Sequence, residues 1–423
     1  DQISHMVQIK DFFDSKNKII FNEIYDLASA GQVIDVVVLE DCLRSKGVLD
    51  RIGGMQYISQ LAHKVPTSAH IKAYAEIIKE KSIMRELIGI STKTIQTIHQ
   101  SEQGDIKDVL DKAESDIFAI TSDSKVNDGL HKIGPIVNSY IDAVYSKKNN
   151  NELDYLLTGY NEFDKLTAGL QKSDLIIIAG RPSMGKTAFA MNVAQDIVFK
   201  QKKKVGFFSL EMSSQSIALR MLSSLSSVSM QKIRTGDYES SPQDTKAVTS
   251  AIEMMNDCDF YIDDTAAISP MDLRSKARRM KREAGIDLIV VDYLQLMSIP
   301  RYSENRVNEV GEVTRALKAI AKELDIPVIA LSQLNRGVET RNDKRPFLSD
   351  LRESGSIEQD ADLIVFLYRD EVYDPNTDQK NIAEVRVEKH RNGQTGFVKL
   401  TWVPHCTRFE DYHPQVYDGV GEF

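Results

Sequence analysis

The stretch "GRPSMGKT", from Gly180 to Thr187, constrains this chain more than any other part of its sequence. A glycine, four residues and then Gly-Lys-Thr fit the P-loop pattern, in which backbone N–H groups and a lysine surround phosphates and the threonine hydroxyl reaches magnesium. The preceding run, "DLIIIA", is apolar and β-branched, and the following run, "TAFAMNVAQDIVF", has apolar residues at helical spacing. Because the motif requires this setting between a strand and a helix, we expect ATP or GTP binding.

The composition is typical of a soluble globular protein with two or three domains. Of 423 residues, 42% are hydrophobic and 27% are charged, and no apolar run reaches membrane-spanning length. A net charge of −9 argues against a uniformly basic nucleic-acid coat but is compatible with a local basic channel. The 3 isolated cysteines and 8 scattered histidines predict neither a disulfide framework nor a zinc site, which suits a reducing cytosol. No secretion leader follows Asp1, and the missing initial Met indicates that opening residues are absent.

Residues 1–120 are predicted to form an all-helical domain. The runs "IIFNEIYDLASAG", which ends at Gly31, and "IKAYAEIIKEKSIMRELIGISTKTIQTIHQ" repeat apolar residues at intervals of three and four. They carry no phosphate loop or acid cluster, which is typical of a docking or assembly domain. Residues 121–154 are predicted to be a linker, where polar stretches flank the amphipathic helix in "IGPIVNSYIDAVYS". That helix needs a partner for its apolar stripe, either its own large domain or a neighbouring subunit.

Residues 155–423 alternate strand-like and helical runs. The strand-like runs are "LIIIA", "VGFFSL", "FYIDD", "DLIVVDYL", "PVIALSQ", "DLIVFLY", "AEVRVEK" and "FVKLTWV". Such alternation predicts an α/β domain with a largely parallel, buried sheet and a final antiparallel portion.

A nucleotide hydrolase also needs a carboxylate for magnesium and a group that activates water. Asp292 ends the run "IDLIVVD", where the magnesium ligand is expected, although an aspartate there could simply cap a turn. Tyr293 follows it, so the glutamate that many ATPases place next is absent. Glu211 in "GFFSLEMS" is the best candidate base, because neighbouring strand ends meet at the ligand crevice, but it could be an ordinary exposed glutamate. Gln333 in "ALSQLNR" could contact the γ-phosphate or be a structural amide.

Several motifs together resemble one known family. In chain order, "GRPSMGKT", "SLEMS", "VVDYLQLM", "ALSQLNR", "DLRESGSIEQDADLI" and "EKHRNGQTG" resemble the motif set of the DnaB family of bacterial replicative helicases. The resemblance covers roughly residues 156–418 closely, and the helical N-terminal part more loosely. It implies a RecA-like α/β P-loop ATPase domain, preceded by an all-α N-terminal domain and a linker helix.

The same resemblance implies a function and a set of partners. It implies a homohexameric ring that uses ATP and Mg²⁺ and moves 5′ to 3′ along single-stranded DNA at the replication fork. It further implies a helical collar that docks primase, a linker helix that packs on the next subunit, and a helicase loader. The implied location is the bacterial cytoplasm, with no membrane association.

Carried over by position, the family's functional residues fall on specific side chains. The phosphate-holding positions are Gly180, Ser183, Met184, Gly185, Lys186, Thr187 and Ala188, with Thr187 and Asp292 at magnesium and Glu211 as the hydrolytic carboxylate. Arg220 and His390 match positions near the nucleotide, although Arg220 also fits an ordinary helix surface. Lys389 and Arg391 match positions that reach the γ-phosphate of the adjacent subunit. Without the resemblance, they would fit a solvated hairpin tip.

The loop "DLRESGS" is the predicted DNA contact. Arg352, Glu353 and Gly355 match family positions that grip the phosphodiester backbone. A glycine-rich loop exposes backbone N–H donors and an arginine adds charge, so the predicted contact is to phosphate rather than to bases, although the loop could be a solvated turn. The basic run "KARRMKREAG" at 276–285 is more typical of a solvated helix face.

Other function classes remain compatible with parts of this pattern. A RecA-like ring or filament ATPase would share the P-loop but would not unwind DNA. A P-loop kinase would need an acceptor pocket for a small molecule, and a pure scaffold would not hydrolyse ATP.

Overall fold

The computed structural model describes residues 6–64, 71–100, 155–299, 306–351 and 355–413, with short helical pieces between residues 109 and 141. The chain divides into two compact units, Asp1–Ser146 and Lys147–Phe423. Arg352, Glu353 and most of the predicted linker helix lie outside the described residues. Within the described part, no helix combines the length and apolar character needed to cross a membrane.

The first unit is helical, as predicted. Its helices are α1 (Ser15–Ser29), α2 (Val36–Ser45), α3 (Leu49–Ile52), α4 (Gly54–Lys64) and α5 (Ile71–Gln100). Asp14 and Asp35 begin α1 and α2 by accepting hydrogen bonds from the backbone N–H groups of Lys16 and Val37, at 2.8 and 2.9 Å. The apolar periodicity read from the sequence becomes a core that includes Ile20, Leu27, Leu39, Leu43, Ile52 and Ile58.

The second unit is built on a nine-stranded sheet of order β3-β2-β4-β5-β1-β6-β7-β8-β9. The strands are β1 (Leu175–Gly180), β2 (Val205–Ser209), β3 (Phe260–Asp263), β4 (Leu288–Asp292), β5 (Val328–Gln333), β6 (Leu363–Tyr368), β7 (Ile382–His390), β8 (Gly396–Val403) and β9 (Arg408–Asp411). Strands β1 to β6 pair in parallel, and β7 to β9 extend the sheet antiparallel from β6. The predicted mixed sheet is therefore confirmed.

Helices cover the sheet in this unit. They are α6 (Asn161–Thr167), α7 (Lys186–Phe199), α8 (Ser214–Ser226), α9 (Met230–Thr235), α10 (Pro242–Asn256), α11 (Pro270–Glu283), α12 (Arg306–Leu324) and α13 (Gly355–Asp360). Alternate residues of β1 enter two separate cores, with Ile176 and Ile178 in the core of α7 and Leu175 and Ile177 in the core of α11 and α12. Burial on both faces explains why the parallel strands appear in the sequence as continuous apolar runs.

The strand register sets the position of the functional site. Gly180 at the end of β1 pairs with Gln333 at the end of β5, and Ser209 at the end of β2 pairs with Asp292 at the end of β4. The carboxyl ends of these parallel strands therefore meet at one edge of the sheet, which we call the carboxyl edge. The opposite side, where the parallel strands begin, is the amino edge.

Candidate active site

The P-loop turns sharply between β1 and α7. Ser183 and Gly185 adopt positive φ angles of 67° and 94°, and α7 begins directly afterwards at Lys186. A Cβ atom at Gly185 would lie 2.8 Å from the ring of Phe409, so both backbone angle and space require glycine there. Because α7 starts at the end of the loop, its first N–H groups and its positive dipole end are directed to the same point, which favours phosphate.

Thr187 and Asp292 lie together at the carboxyl edge. The Thr187 hydroxyl donates a 2.7 Å hydrogen bond to Oδ2 of Asp292, which is only 1% exposed. The pKa of the Asp292 carboxyl is raised to about 6, chiefly by burial and also by the nearby charge of Glu211, while the hydrogen bond from Thr187 and the charges of Lys186 and Arg220 act in the opposite direction. The hydroxyl and the carboxylate that the sequence assigned to magnesium are thus adjacent.

Lys186 and Glu211 converge on the same point. The Lys186 ammonium donates to the backbone oxygen of Arg181 at 3.3 Å, and burial lowers its pKa, although the charges of Asp292 and Glu211 oppose this. The exposed Glu211 follows β2 in a turn where the backbone N–H of Leu210 bonds to the Asp292 carbonyl at 2.7 Å. Strand order, rather than sequence proximity, therefore brings Glu211 to the P-loop.

Gln333 is exposed at the end of β5, next to the P-loop strand. Its backbone N–H donates to Oε1 of Gln295 at 3.2 Å, and the Gln295 amide donates to the Ser332 hydroxyl at 2.9 Å. Gln295 belongs to the short turn Leu294–Leu296 that follows Asp292. The turn after the β4 acid is therefore tied to the strand that carries Gln333, a link that the sequence pattern did not indicate.

Two further arginines shape the P-loop and were not singled out in the sequence. Arg181 is buried, and it donates to Oε1 of Glu339 and to the backbone oxygen of Leu334, both at 2.8 Å. Arg369, directly after β6, donates from Nη1 to the backbone oxygen of Ser183 at 3.2 Å. Its position as a charged residue directly after a buried strand is the one feature of the sequence that could have marked Arg369. Its contact with the P-loop arises because β6 lies beside β1, which the sequence does not reveal.

Strands β8 and β9 pack against the P-loop and the start of α7. The backbone N–H of Phe409 donates to Oδ1 of Asn192 on α7 at 2.8 Å, and its ring lies 4.6 Å from that of Trp402. The Arg369 guanidinium lies 4.5 Å from the Trp402 ring, so it bridges the loop and β8. Phe409 lies on β9, a strand that the apolar pattern of the sequence does not predict.

Lys389, His390 and Arg391 lie away from this chain's own P-loop. Lys389 and His390 end β7, and Arg391 follows it. His390 pairs with Leu363 at the start of β6, whereas Ala179 of β1 pairs with Phe366 further along β6. The Lys389 ammonium donates to the backbone oxygens of Glu358 and Ala361, and Arg391 contacts Oδ1 of Asp362 at 3.3 Å. These predicted nucleotide-contacting side chains therefore stand at the amino edge.

Gly355, one of the predicted DNA-contacting positions, and the basic run lie within the described part of the structure. Gly355 begins α13, directly after the residues that lie outside the described part. The basic run lies on α11, where Lys276 pairs with Asp263 at 2.6 Å and Arg279 pairs with Glu283 at 3.0 Å. Because these cations are engaged within the chain, the run is a solvated, ion-paired helix face, as its pattern favours.

A parallel sheet with a P-loop after β1, an acid after β4 and antiparallel strands beyond β6 defines a RecA-like P-loop ATPase domain. The family model described as the DnaB-like helicase C terminal domain matches residues 156–411, and that of the DnaB-like helicase N terminal domain matches residues 1–80. The chain belongs to the DnaB family of replicative DNA helicases.

Individual relatives support this assignment along the chain. The replicative DNA helicase DnaB of Pasteurella multocida is 44% identical over 420 residues, covering 98% of this chain and 90% of that protein. The Geobacillus stearothermophilus DnaB is 43% identical, covering 95% and 88%. A solved DnaB-like replicative helicase, described with its interactions with primase, has a TM-score of 0.74 at 32% identity and covers 96% of this chain and 94% of its own. A second solved structure, described as an ATPase domain, has a TM-score of 0.61 at 38% identity, covering 66% and 99%.

Proposed function

We propose that this protein is the motor of a replication fork, a homohexameric ring that hydrolyses ATP to move 5′ to 3′ along single-stranded DNA and unwind the duplex ahead. The observation that carries the proposal is the division of the predicted catalytic residues between two edges of one sheet. Lys186, Asp292 and Glu211 lie at the carboxyl edge, and Lys389 and Arg391 lie at the amino edge. One subunit therefore supplies only part of a site, and a second copy has to complete it.

The distance between the edges supports assembly. Asp362, whose carbonyl accepts the Arg391 backbone N–H, lies five residues along the chain from the part of β6 beside the P-loop. At roughly 3.3 Å per residue, this separation is about 16 Å. The Arg391 side chain is turned toward Asp362 and Gln359 instead. In a closed ring, the amino-edge pair of one subunit would face the P-loop of the next.

The carboxyl edge fits ATP with Mg²⁺. Mg²⁺ prefers oxygen ligands and keeps several waters, so it is commonly held by one or two protein groups together with substrate phosphates. The hydroxyl of Thr187 and the carboxylate of Asp292 are such groups, and among the described residues no cluster of three or more His, Cys, Asp or Glu side chains could hold a metal. When bound, Mg²⁺ would neutralise charge on the β- and γ-phosphates.

The chain's own residues then have distinct tasks. Lys186 and the N-terminus of α7 would hold the β- and γ-phosphates, with Ser183, Met184 and Ala188 shaping the loop. Glu211 would orient and deprotonate the attacking water, and Gln333 would contact the γ-phosphate and report its loss. Arg220, whose charge lowers the pKa of Asp292, would lie close enough to stabilise the nucleotide.

The raised pKa of Asp292 predicts how magnesium binding depends on pH. Above pH 6 the carboxyl is ionised and available to the cation, whereas below pH 6 a proton competes for it. The Mg²⁺ concentration needed for half-maximal binding of a fluorescent ATP analogue should be nearly constant above pH 7. Between pH 6 and pH 5 it should rise about fivefold through this carboxyl.

Two variants isolate that effect. Asp292→Asn retains only the titration of the nucleotide itself and should bind Mg²⁺ weakly at every pH. Asp174→Asn is the matched control, because burial also raises the pKa of Asp174 to about 6, but this carboxyl lies at the amino edge and contacts Lys318. A wild-type pH profile identical in shape to that of Asp292→Asn would remove Asp292 from the magnesium site.

We further propose that the segment with the sequence "DLRESGS" grips the DNA backbone. Arg352→Ala should weaken single-strand binding about equally for different base sequences and reduce the salt slope by roughly one phosphate contact. ATP hydrolysis without DNA should be unaffected. Binding measured by fluorescence anisotropy on poly(dT), poly(dA) and mixed strands at several salt concentrations provides the test, with Arg279→Ala on α11 as control. A loss confined to one base composition would contradict backbone recognition.

Sedimentation and a forked substrate separate this proposal from a ring or filament ATPase without unwinding activity. With ATP and Mg²⁺, the protein should sediment as a hexamer, bind single strands and release the partner strand of a fork with a 5′ tail. A stable monomer would contradict the proposal, and a hexamer that hydrolyses ATP but releases no strand would favour the rival.

The remaining partners follow from the family. The solved relative is described with its interactions with primase, and we propose that the N-terminal helical unit docks primase here. We also propose that a helicase loader opens the ring on DNA and that the protein acts in the cytoplasm.

A further inference from the structure

Asp362 contacts both the strand that leads to the P-loop and the predicted finger residue Arg391. It stands between α13 and β6 and is 4% exposed. Its backbone N–H donates to the Leu175 carbonyl at 3.0 Å, and its Oδ2 accepts from the Leu175 N–H at 2.8 Å. Leu175 is the first residue of β1, the short strand that ends in the P-loop. One side of Asp362 is therefore fixed to the strand that carries this subunit's own nucleotide site.

The other side of Asp362 holds Arg391. Oδ1 of Asp362 accepts from Nη1 of Arg391 at 3.3 Å, and the Asp362 carbonyl accepts from the Arg391 backbone N–H at 2.9 Å. Nη1 of Arg391 contacts the carboxylate and Nη2 donates to the Gln359 carbonyl, yet the side chain is still 47% exposed, so its outer part reaches solvent. A guanidinium held on one side and exposed on the other is oriented for a partner outside the subunit.

The charge of Asp362 is balanced independently of Arg391. Lys318 on α12 forms an ion pair with Oδ2 of Asp362 and donates to the Ser173 carbonyl at 2.8 Å. A buried carboxylate needs such compensation. Because Lys318 provides it, Arg391 could move toward a phosphate without leaving an unpaired buried charge behind.

We propose that Asp362 is a positioning residue that orients the Arg391 finger toward the neighbouring subunit and ties it to β1 of its own subunit. This inference rests on the proposed trans role of Arg391. Asp362 would thereby link adjacent sites of the ring. If β1 shifted when nucleotide bound, the Asp362 carboxylate would transmit that shift to Arg391, which serves the next site. Effects on catalysis of misplacing a group by about 1 Å can reach 10²-fold.

The first test is the activity of Asp362→Asn hexamers. Hydrolysis without DNA should fall about 10- to 100-fold, while the affinity for a fluorescent ATP analogue changes little, since the P-loop is intact. Asp362→Glu, which keeps the charge but displaces the carboxylate, is the second variant and should also lower hydrolysis. Asp174→Asn is the matched control, because Asp174 contacts Lys318 at 3.8 Å and has no hydrogen bond to Arg391 among the described residues. Wild-type turnover by both Asp362 variants would overturn the proposal.

The decisive test mixes Asp362→Asn with Lys186→Ala, which has no working P-loop but an intact finger. If Asp362 acts through Arg391, roughly a quarter of the interfaces in a one-to-one mixture join an intact P-loop to an intact finger. Adding inactive Lys186→Ala subunits should then raise hydrolysis several-fold above that of Asp362→Asn alone. If the substitution instead damages its own site through β1, the mixture stays as slow as Asp362→Asn, and the positioning role is overturned.

A parallel mixture separates this inference from the proposed function. Lys186→Ala mixed with Arg391→Ala tests the trans finger itself. Recovery in that mixture without recovery in the Asp362→Asn mixture would overturn only the positioning role. Failure of both would overturn the trans finger and, with it, the inference that rests on it.

Discussion

Replacing Glu211 with Gln should preserve ATP binding and hexamer assembly while lowering hydrolysis by roughly 10²- to 10⁴-fold, the range expected for lost general-base chemistry. The substitution removes the charge and proton affinity of the side chain but nearly keeps its shape. Because Glu211 is exposed and lies in a turn, the fold does not depend on its carboxylate. The effect should therefore appear in the rate of the chemical step and not in the affinity.

The arrangement of carboxylates favours Glu211, rather than Asp292, as the base. Asp292 is buried and accepts the Thr187 hydroxyl, a geometry suited to a magnesium ligand. Tyr293 follows it where many ATPases have a glutamate. The charge of Glu211 affects the pKa of both Lys186 and Asp292, so this carboxylate lies near the P-loop, and its side chain is exposed to water.

The measurement compares binding, assembly and turnover in the same preparation. A fluorescent ATP analogue reports affinity, sedimentation reports the hexamer, and phosphate release reports hydrolysis. Glu239→Gln is the control, because Glu239 is also exposed but lies in the turn Asp237–Ser240, away from the strand ends. Near-normal turnover by Glu211→Gln would remove Glu211 from the role of base.

Much of the ATPase fold could be predicted because burial leaves a simple pattern. The runs that became β1, β4 and β5 are buried on both faces, so their residues are apolar until the last one or two, which are Gly180, Asp292, and Ser332 with Gln333. This change of residue type at each strand end marks the site. The strand β9 escaped prediction because its sequence is "RFED", in which Phe409 alone is buried.

The residues that shape the loop from behind could not be predicted, because their roles depend on strand order. Arg369 holds the Ser183 carbonyl only because β6 lies beside β1. Phe409 excludes any Cβ at Gly185 only because β9 packs on α7. The sequence shows that these residues are present but not which residues surround them in the fold. The position of Arg391 relative to its own P-loop also depends on strand order and could not be predicted.

Because Arg391 lies away from its own P-loop, we expect ATP hydrolysis to depend on assembly of the ring, and the largest predicted effect tests this dependence. Arg391→Ala should lower hydrolysis by about 10³-fold or more, as expected when a finger that stabilises transferred charge is removed. Lys186→Ala should be inactive because its P-loop has lost the phosphate-binding cation. Neither variant should lose its fold, since the Arg391 side chain is half exposed and Lys186 donates one 3.3 Å hydrogen bond, to the Arg181 carbonyl.

Mixing the two inactive variants distinguishes action in trans from action within one subunit. If Arg391 serves the adjacent site, an Arg391→Ala subunit with an intact P-loop works when its neighbour is a Lys186→Ala subunit with an intact finger. Random assembly creates that pairing at roughly a quarter of interfaces, so the mixture should recover up to about a quarter of wild-type hydrolysis from two inactive components. The control mixes each variant with itself after the same dissociation and reassembly. If Arg391 acts within its own subunit, every site lacks one component and the mixture stays inactive. That result would contradict the proposal that the amino edge of one subunit completes the active site at the carboxyl edge of the next.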